Sequence, residues 1–145
     1  MASEYKPNLG VIEITAATTL DDDAYAGRTI NLNSTTGRII TLPPATGSGA
    51  TYTIFVGATV SSGSHVVRVA NANDIMQGTL AVTTDIDGVI FPTLSTTDTI
   101  TMSGSTTGGV RGSRIELQDV AANLWALSGA LVSTGAEATP FSASV

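Results

Sequence analysis

Residues 29–56 read TINLNSTTGRIITLPPATGSGATYTIFV, and the alternation within this stretch decides the fold class. Ile30 and Leu32 alternate with Thr29 and Asn31. Ile40 and Leu42 continue the same period, and Tyr52, Ile54 and Val56 alternate with Thr51, Thr53 and Phe55. Side chains two apart share one face of an extended chain, so each run is a strand with one apolar face. Asn33-Ser34-Thr35-Thr36-Gly37 supplies turn chemistry, because Gly accepts positive φ and short polar side chains bond nearby backbone. The first two strands are therefore expected to form a hairpin. Pro43-Pro44 removes two backbone donors and ends the second strand, and Gly47-Ser48-Gly49 bends the chain into a third, expected in a facing sheet.

Working outward, the same pattern recurs in short segments. Val11–Ile14 is a first strand, His65–Val69 a short one, and Asn71-Ala72-Asn73-Asp74 interrupts before Gly78–Val82 resumes. Asp85-Ile86-Asp87-Gly88 reads as a turn leading into Val89-Ile90-Phe91, which Pro92 closes. Thr99–Met102 alternates again, Ser103–Gly112 is a glycine-rich loop, Ser113–Leu117 is a strand, and Asn123–Ala130 is the last, with Trp125 and Leu127 inward. No helical period persists for three turns. Many short strands with turns between them predict an all-β fold, an antiparallel β-sandwich of jelly-roll type. Residues 1–10 are expected to be an extended N-terminal arm, residues 11–132 the sandwich, and residues 133–145 an extended C-terminal tail.

Composition narrows the function classes. The 145 residues carry 12% charged side chains, about half the typical share of roughly 25%. Hydroxyls fill the gap, with 23 Thr and 14 Ser, and a surface of this kind suits a structural or binding module. A net charge of −6 with six scattered basic residues argues against binding nucleic acid or an anionic membrane. There is no cysteine, hence no disulfide framework and no thiolate metal site. No apolar run suits a signal peptide or a membrane span, so a soluble protein without a visible export signal is expected.

Chemistry-bearing constellations are sparse. His65 is the only histidine, so any Ser-His-Asp relay would depend on it; it reads as a strand-end residue against a loop. Gly47-Ser48-Gly49-Ala50-Thr51 has the glycines of a phosphate-cradling loop but lacks the lysine and leads into a strand, so it reads as a turn. The run Asp21-Asp22-Asp23 offers three acids to a cation but reads first as a solvated loop. Asp74, Asp85, Asp87 and Asp98 are oxygen donors, yet none has calcium-loop spacing. Glu13, Glu116 and Glu137 read as isolated surface acids, and Arg111 and Arg114 flank the late glycine loop as a small basic pair. Asn33-Ser34-Thr35 fits a glycosylation acceptor but reads as a turn in the absence of a secretory signal. No catalytic residue, cofactor or metal is expected, and the chain is not expected to be an enzyme.

The phrases TLPPATGSGATYTIFVG from Thr41, VANANDIMQG from Val69, IELQDVAANLWALSG from Ile115 and the terminal TGAEATPFSASV resemble a family of small virion proteins of tailed bacteriophages, of the head decoration or cement type. The similarity runs from about Thr29 to the end. Similar phrases occur in fibre-type proteins, which makes a tail-fibre or receptor-binding module that recognises host glycan the alternative. The resemblance implies a stabilising protein on the outer capsid surface of the virion, partnered with the major capsid protein and assembled as a homotrimer. Extended ends suit that role, since they can cross subunit seams at every copy. Tyr5, Lys6, Pro7 and Phe141 are the expected capsid-binding residues, with the aromatics as anchors.

Overall fold

The computed structural model describes residues 10–145. Twelve strands and one short helix follow in order: β1 Ile12–Glu13, β2 Thr18–Thr19, α1 Asp22–Tyr25, β3 Thr29–Leu32, β4 Ile39–Thr41, β5 Thr51–Val56, β6 His65–Arg68, β7 Ile75–Thr83, β8 Gly88–Pro92, β9 Thr99–Met102, β10 Val110–Ala121, β11 Leu124–Val132 and β12 Phe141–Ser142. They form a seven-stranded sheet, β1-β3-β5-β10-β11-β7-β8, and a five-stranded sheet, β12-β9-β6-β4-β2. The two sheets pack together, so the all-β sandwich expected from the alternation is what the chain forms.

The first half of the chain winds between the sheets. β1, β3 and β5 lie parallel in one sheet, while β2, β4 and β6 lie parallel in the other. Each turn of this flattened coil stacks on the previous one in register. Ile12 neighbours Ile30, which neighbours Ile54; on the opposite sheet Thr18 neighbours Ile40, which neighbours Val67. The connecting turns stack as well. Ser61 and Ser62 donate backbone N–H groups to Thr35 O at 2.8 and 3.1 Å, and Gly37 N–H donates to Ser62 O at 2.8 Å.

This winding corrects two expectations. Asn33–Gly37 does not close a hairpin but carries the chain across the sandwich, so Ile30 and Leu32 face Ile40 and Leu42 through the core, all four fully buried. The sheets are mixed where antiparallel ones were expected, with parallel and antiparallel pairings equally numerous. The physical reason is that a two-residue period marks a half-buried strand whatever its neighbour's direction. Direction is set by the connection: a parallel neighbour needs a crossover of about a dozen residues or more, and here the crossover from β3 to β5 runs through β4. A jelly roll is antiparallel throughout, so the coarser description, a two-sheet all-β sandwich, is the one that holds.

The second half is built on the long β10–β11 hairpin, whose turn places Asn123 at φ 62°, a left-handed conformation that Asn tolerates better than most residues. β10 pairs with β5 and β11 with β7, so β5-β10-β11-β7 is the centre of the large sheet. One core lies between the sheets. Its largest member, Trp125, is fully buried and meets Tyr52 edge-on at 5.8 Å between ring centroids.

The C-terminal residues are docked on the sandwich. Ser133 N–H donates to Thr83 O, Thr134 N–H to Ser105 O and Ala138 N–H to Thr106 O. β12 pairs with β9, and the Asp98 carboxylate accepts from the N–H groups of Ser144 at 2.7 Å and Val145 at 3.3 Å. The order of this tail thus arises within the chain.

Candidate functional site

Three of the quoted phrases contribute loops that meet at one end of the sandwich. The loop after Pro44, the Asn71–Asp74 interruption and the β10–β11 turn are tied by hydrogen bonds through buried carboxylates. Asp74, buried, accepts from Ala45 N–H at 2.9 Å. Ala45 O accepts from Asn123 N–H at 3.1 Å, and Asn123 O accepts from Ile75 N–H at 3.0 Å. Asp119, 3% exposed, accepts from Thr46 N–H at 3.0 Å, Gly47 N–H at 2.6 Å and the Ser48 hydroxyl at 3.0 Å. Gly47-Ser48-Gly49 therefore does cradle an anion, and the anion is the chain's own Asp119. The missing lysine has no role when the charge to be held is a single internal carboxylate.

Burial alone would raise the Asp119 pKa, but the N–H groups of Thr46 and Gly47 and the Ser48 hydroxyl outweigh it and hold the carboxyl below its ordinary value. A lowered folded-state pKa means that the ionised form stabilises the fold. That contribution is complete above the unfolded-state Asp pKa of about 4 and is lost as pH falls below it toward the folded value. Asp119→Ala is expected to cost about 2 kcal/mol at neutral pH, because the N–H groups of Thr46 and Gly47 and the Ser48 hydroxyl lose a charged acceptor. Urea titrations at about pH 7 and about pH 3 check this. The variant should flatten the acid-side decline, and an unchanged decline would remove Asp119 as its source.

The other candidate residues are placed individually. Asp21 caps α1 by accepting from Ala24 N–H at 2.9 Å, and Asp22 accepts the Tyr52 hydroxyl. Burial first, and then Asp22, push the Tyr52 pKa upward. The acidic run is thus a helix cap and a tyrosine partner. His65 is buried; its Nδ1 accepts from Arg38 N–H at 3.0 Å, and burial lowers its pKa. A protonated ring would turn a second donor against that N–H. Asp85 and Asp87 sit in an exposed turn, away from the roles of Asp74 and Asp98, and no group of three or more metal-ligating side chains forms among the described residues. Glu13 accepts from the Asn33 amide at 3.2 Å, and Glu116 pairs with Arg114 at 3.6 Å in the open. Arg111 is exposed.

Of the expected capsid-binding residues, Tyr5, Lys6 and Pro7 lie outside the described residues. Phe141 is half-buried in β12 and packs against the core, which leaves only part of its ring for a partner.

Two surface features complete the description. On the outer face of the large sheet, β5, β10 and β11 form a shallow depression of about 420 Å³ bordered by Thr51, Thr53, Glu116, Gln118 and Ser128. At the β8 edge of the same sheet, Ile86, Val89, Ile90 and Leu94 are exposed apolar residues on a surface otherwise rich in hydroxyls. The sequence marked Val89-Ile90-Phe91 as a strand without showing that it lies at an edge. The available signal was Pro92, which a central strand would exclude. No helix among the described residues is long and apolar enough to cross a membrane. Compared with known protein families, with curated proteins and with solved structures, the chain has no match.

Proposed function

We propose that this chain is a structural virion protein that binds the outer surface of a bacteriophage capsid and stabilises the head. The observation that carries this reading is spatial. Three of the four phrases that resemble the decoration proteins supply β5, the start of β7, the second part of β10 and most of β11, which are adjacent strands, and their polar residues meet in the Asp74–Asp119 loop cluster; the fourth supplies β12 in the other sheet. Three of the phrases thus lie together in one part of the fold, which is what supports this reading. A charge-poor, hydroxyl-rich module tied together by internal carboxylates suits a role in which each copy adds a modest binding energy repeated over a lattice.

In this reading the major capsid protein is the partner, and the segment holding Tyr5, Lys6 and Pro7 is the principal contact. The described residues begin at Gly10, whose carbonyl oxygen accepts from Arg28 Nε at 3.0 Å. Co-sedimentation of the purified protein with undecorated heads is the test. Saturable binding and heads that withstand higher temperature are expected. Removing residues 1–10 should lower occupancy at least about ten-fold, as loss of an aromatic anchor does, while the unfolding midpoint stays unchanged. Full occupancy by the truncated chain would contradict the arm as the contact.

The depression on the large sheet favours a second reading, a tail-fibre or receptor-binding module. Its border of hydroxyls, an amide and a carboxylate can hydrogen-bond a hydroxylated ligand such as a glycan. Binding on a glycan array together with no binding to heads would select that reading.

A further inference from the structure

Asp87 is the only aspartate of the chain that a glycine follows, and no asparagine precedes a glycine. The pair Asp87-Gly88 closes the turn between β7 and β8, where residues 85–88 are all exposed. Thr84 N–H donates to Asp87 O at 2.8 Å, and Asp87 N–H donates to Thr84 Oγ1 at 3.1 Å, so the backbone of Asp87 is fixed on both sides. Its side chain folds back on the next peptide unit: Gly88 N–H donates to Asp87 Oδ1 at 2.8 Å. Cγ is bonded to that oxygen, so hydrogen-bond geometry puts it about 3–4 Å from the Gly88 nitrogen.

This is close to the separation of about 3–3.5 Å at which bound groups react. Glycine has no Cβ to shield its nitrogen, and the exposed turn admits water. We propose that Asp87 is a site of spontaneous isomerisation to isoaspartate. The Gly88 nitrogen bonds to Asp87 Cγ, the Cγ–O bond of the protonated carboxyl breaks, and the N–H proton and the hydroxyl leave as water. The product is a five-membered succinimide. Water then opens the ring at one of its two carbonyl carbons. Addition at Cγ restores aspartate. Addition at the main-chain carbon breaks its bond to nitrogen, so Gly88 stays linked through Cγ and the former main-chain carbonyl becomes a free carboxylate. Water is the only other reactant. The new link adds one methylene to the main chain where Gly88 pairs with Thr83. β8 is held by β7 on one side only, so no outer neighbour keeps its register when the turn lengthens. Isomerisation therefore loosens this edge strand as the protein ages. The inference is independent of the capsid reading.

The test keeps the full chain at neutral pH and physiological temperature for several weeks, then maps its peptides by mass spectrometry and labels isoaspartate with an isoaspartyl methyltransferase. The peptide holding Asp87 should acquire a second form of equal mass, with a trace of a form one water lighter. Asp85 lies in the same exposed turn but precedes Ile86, whose branched side chain crowds the peptide nitrogen. Isoaspartate at Asp87 should exceed that at Asp85 by at least about ten-fold. It should form no more slowly in the folded chain than in the chain unfolded in guanidinium chloride, because the turn already holds the reacting atoms together. Asp87→Glu keeps the charge but would have to close a six-membered ring, and should lower the label at this position by at least about ten-fold. An unmodified Asp87 in the folded chain, equal isoaspartate at Asp85, formation that only unfolding permits, or a label that survives Asp87→Glu would overturn the inference.

Discussion

Replacing Trp125 with alanine is expected to remove about 4 kcal/mol of stability, among the largest effects of any single truncation in this core. The indole is fully buried, lies in the central strand β11 between Asp119 on β10 and Met76 on β7, and contacts the Tyr52 ring edge-on. Truncation removes its transfer free energy and leaves a cavity that strands fixed on both sides cannot close. It also removes the ring that positions Tyr52, whose hydroxyl donates to Asp22 in α1. For a domain of this size the midpoint should fall by about 10 °C or more. Calorimetry of the variant measures this directly. A loss below about 1 kcal/mol would mean that the two sheets can move together and that the packing between them is not rigid.

Gly78→Ala is expected to be comparably damaging for a different reason. Gly78 sits within β7 at φ 154°, opposite Leu127 of the parallel neighbour β11, and a Cβ there would overlap the Leu127 carbonyl oxygen. The obstacle is backbone in a central strand, so no side-chain rotation relieves it. Overpacking costs about 1–3 kcal/mol and a disfavoured backbone conformation about 1–3 kcal/mol, so a combined loss near 4 kcal/mol is expected from denaturant titration. A loss under about 1 kcal/mol would show that β7 and β11 can separate at this point without harm to the sheet.

These two residues show how far the sequence can be read. Trp125 was legible as an inward residue because it shares one face of an extended run with Leu127, a spacing that requires no knowledge of the partner strand. Gly78 was legible only as the start of an extended run, because its significance lies in Leu127, far along the chain. The same distinction explains the turn at Asn33–Gly37. Its residues specify a reversal, but whether the next strand lies beside the last or across the core depends on which rows of Ile and Leu it must cover, and both arrangements bury the same face. Among the candidate site residues, the glycines at 47 and 49 were legible as a turn, whereas their anion could not be foreseen because Asp119 arrives from a strand formed much later. The tail from Ser133 was read as an extended end suited to a partner. It docks through backbone hydrogen bonds and the Asp98 carboxylate, which hydropathy does not register. The β8 edge was hidden because edge and centre strands differ in their neighbours more than in their residues.

The capsid reading is tested most directly by cryo-electron microscopy of undecorated phage heads incubated with an excess of the purified protein. The proposal predicts added density at regular positions of the outer lattice, into which the two-sheet sandwich fits, with a connection from the vicinity of Gly10 to the shell. Bare heads under saturating protein, or density confined to the tail, would contradict it.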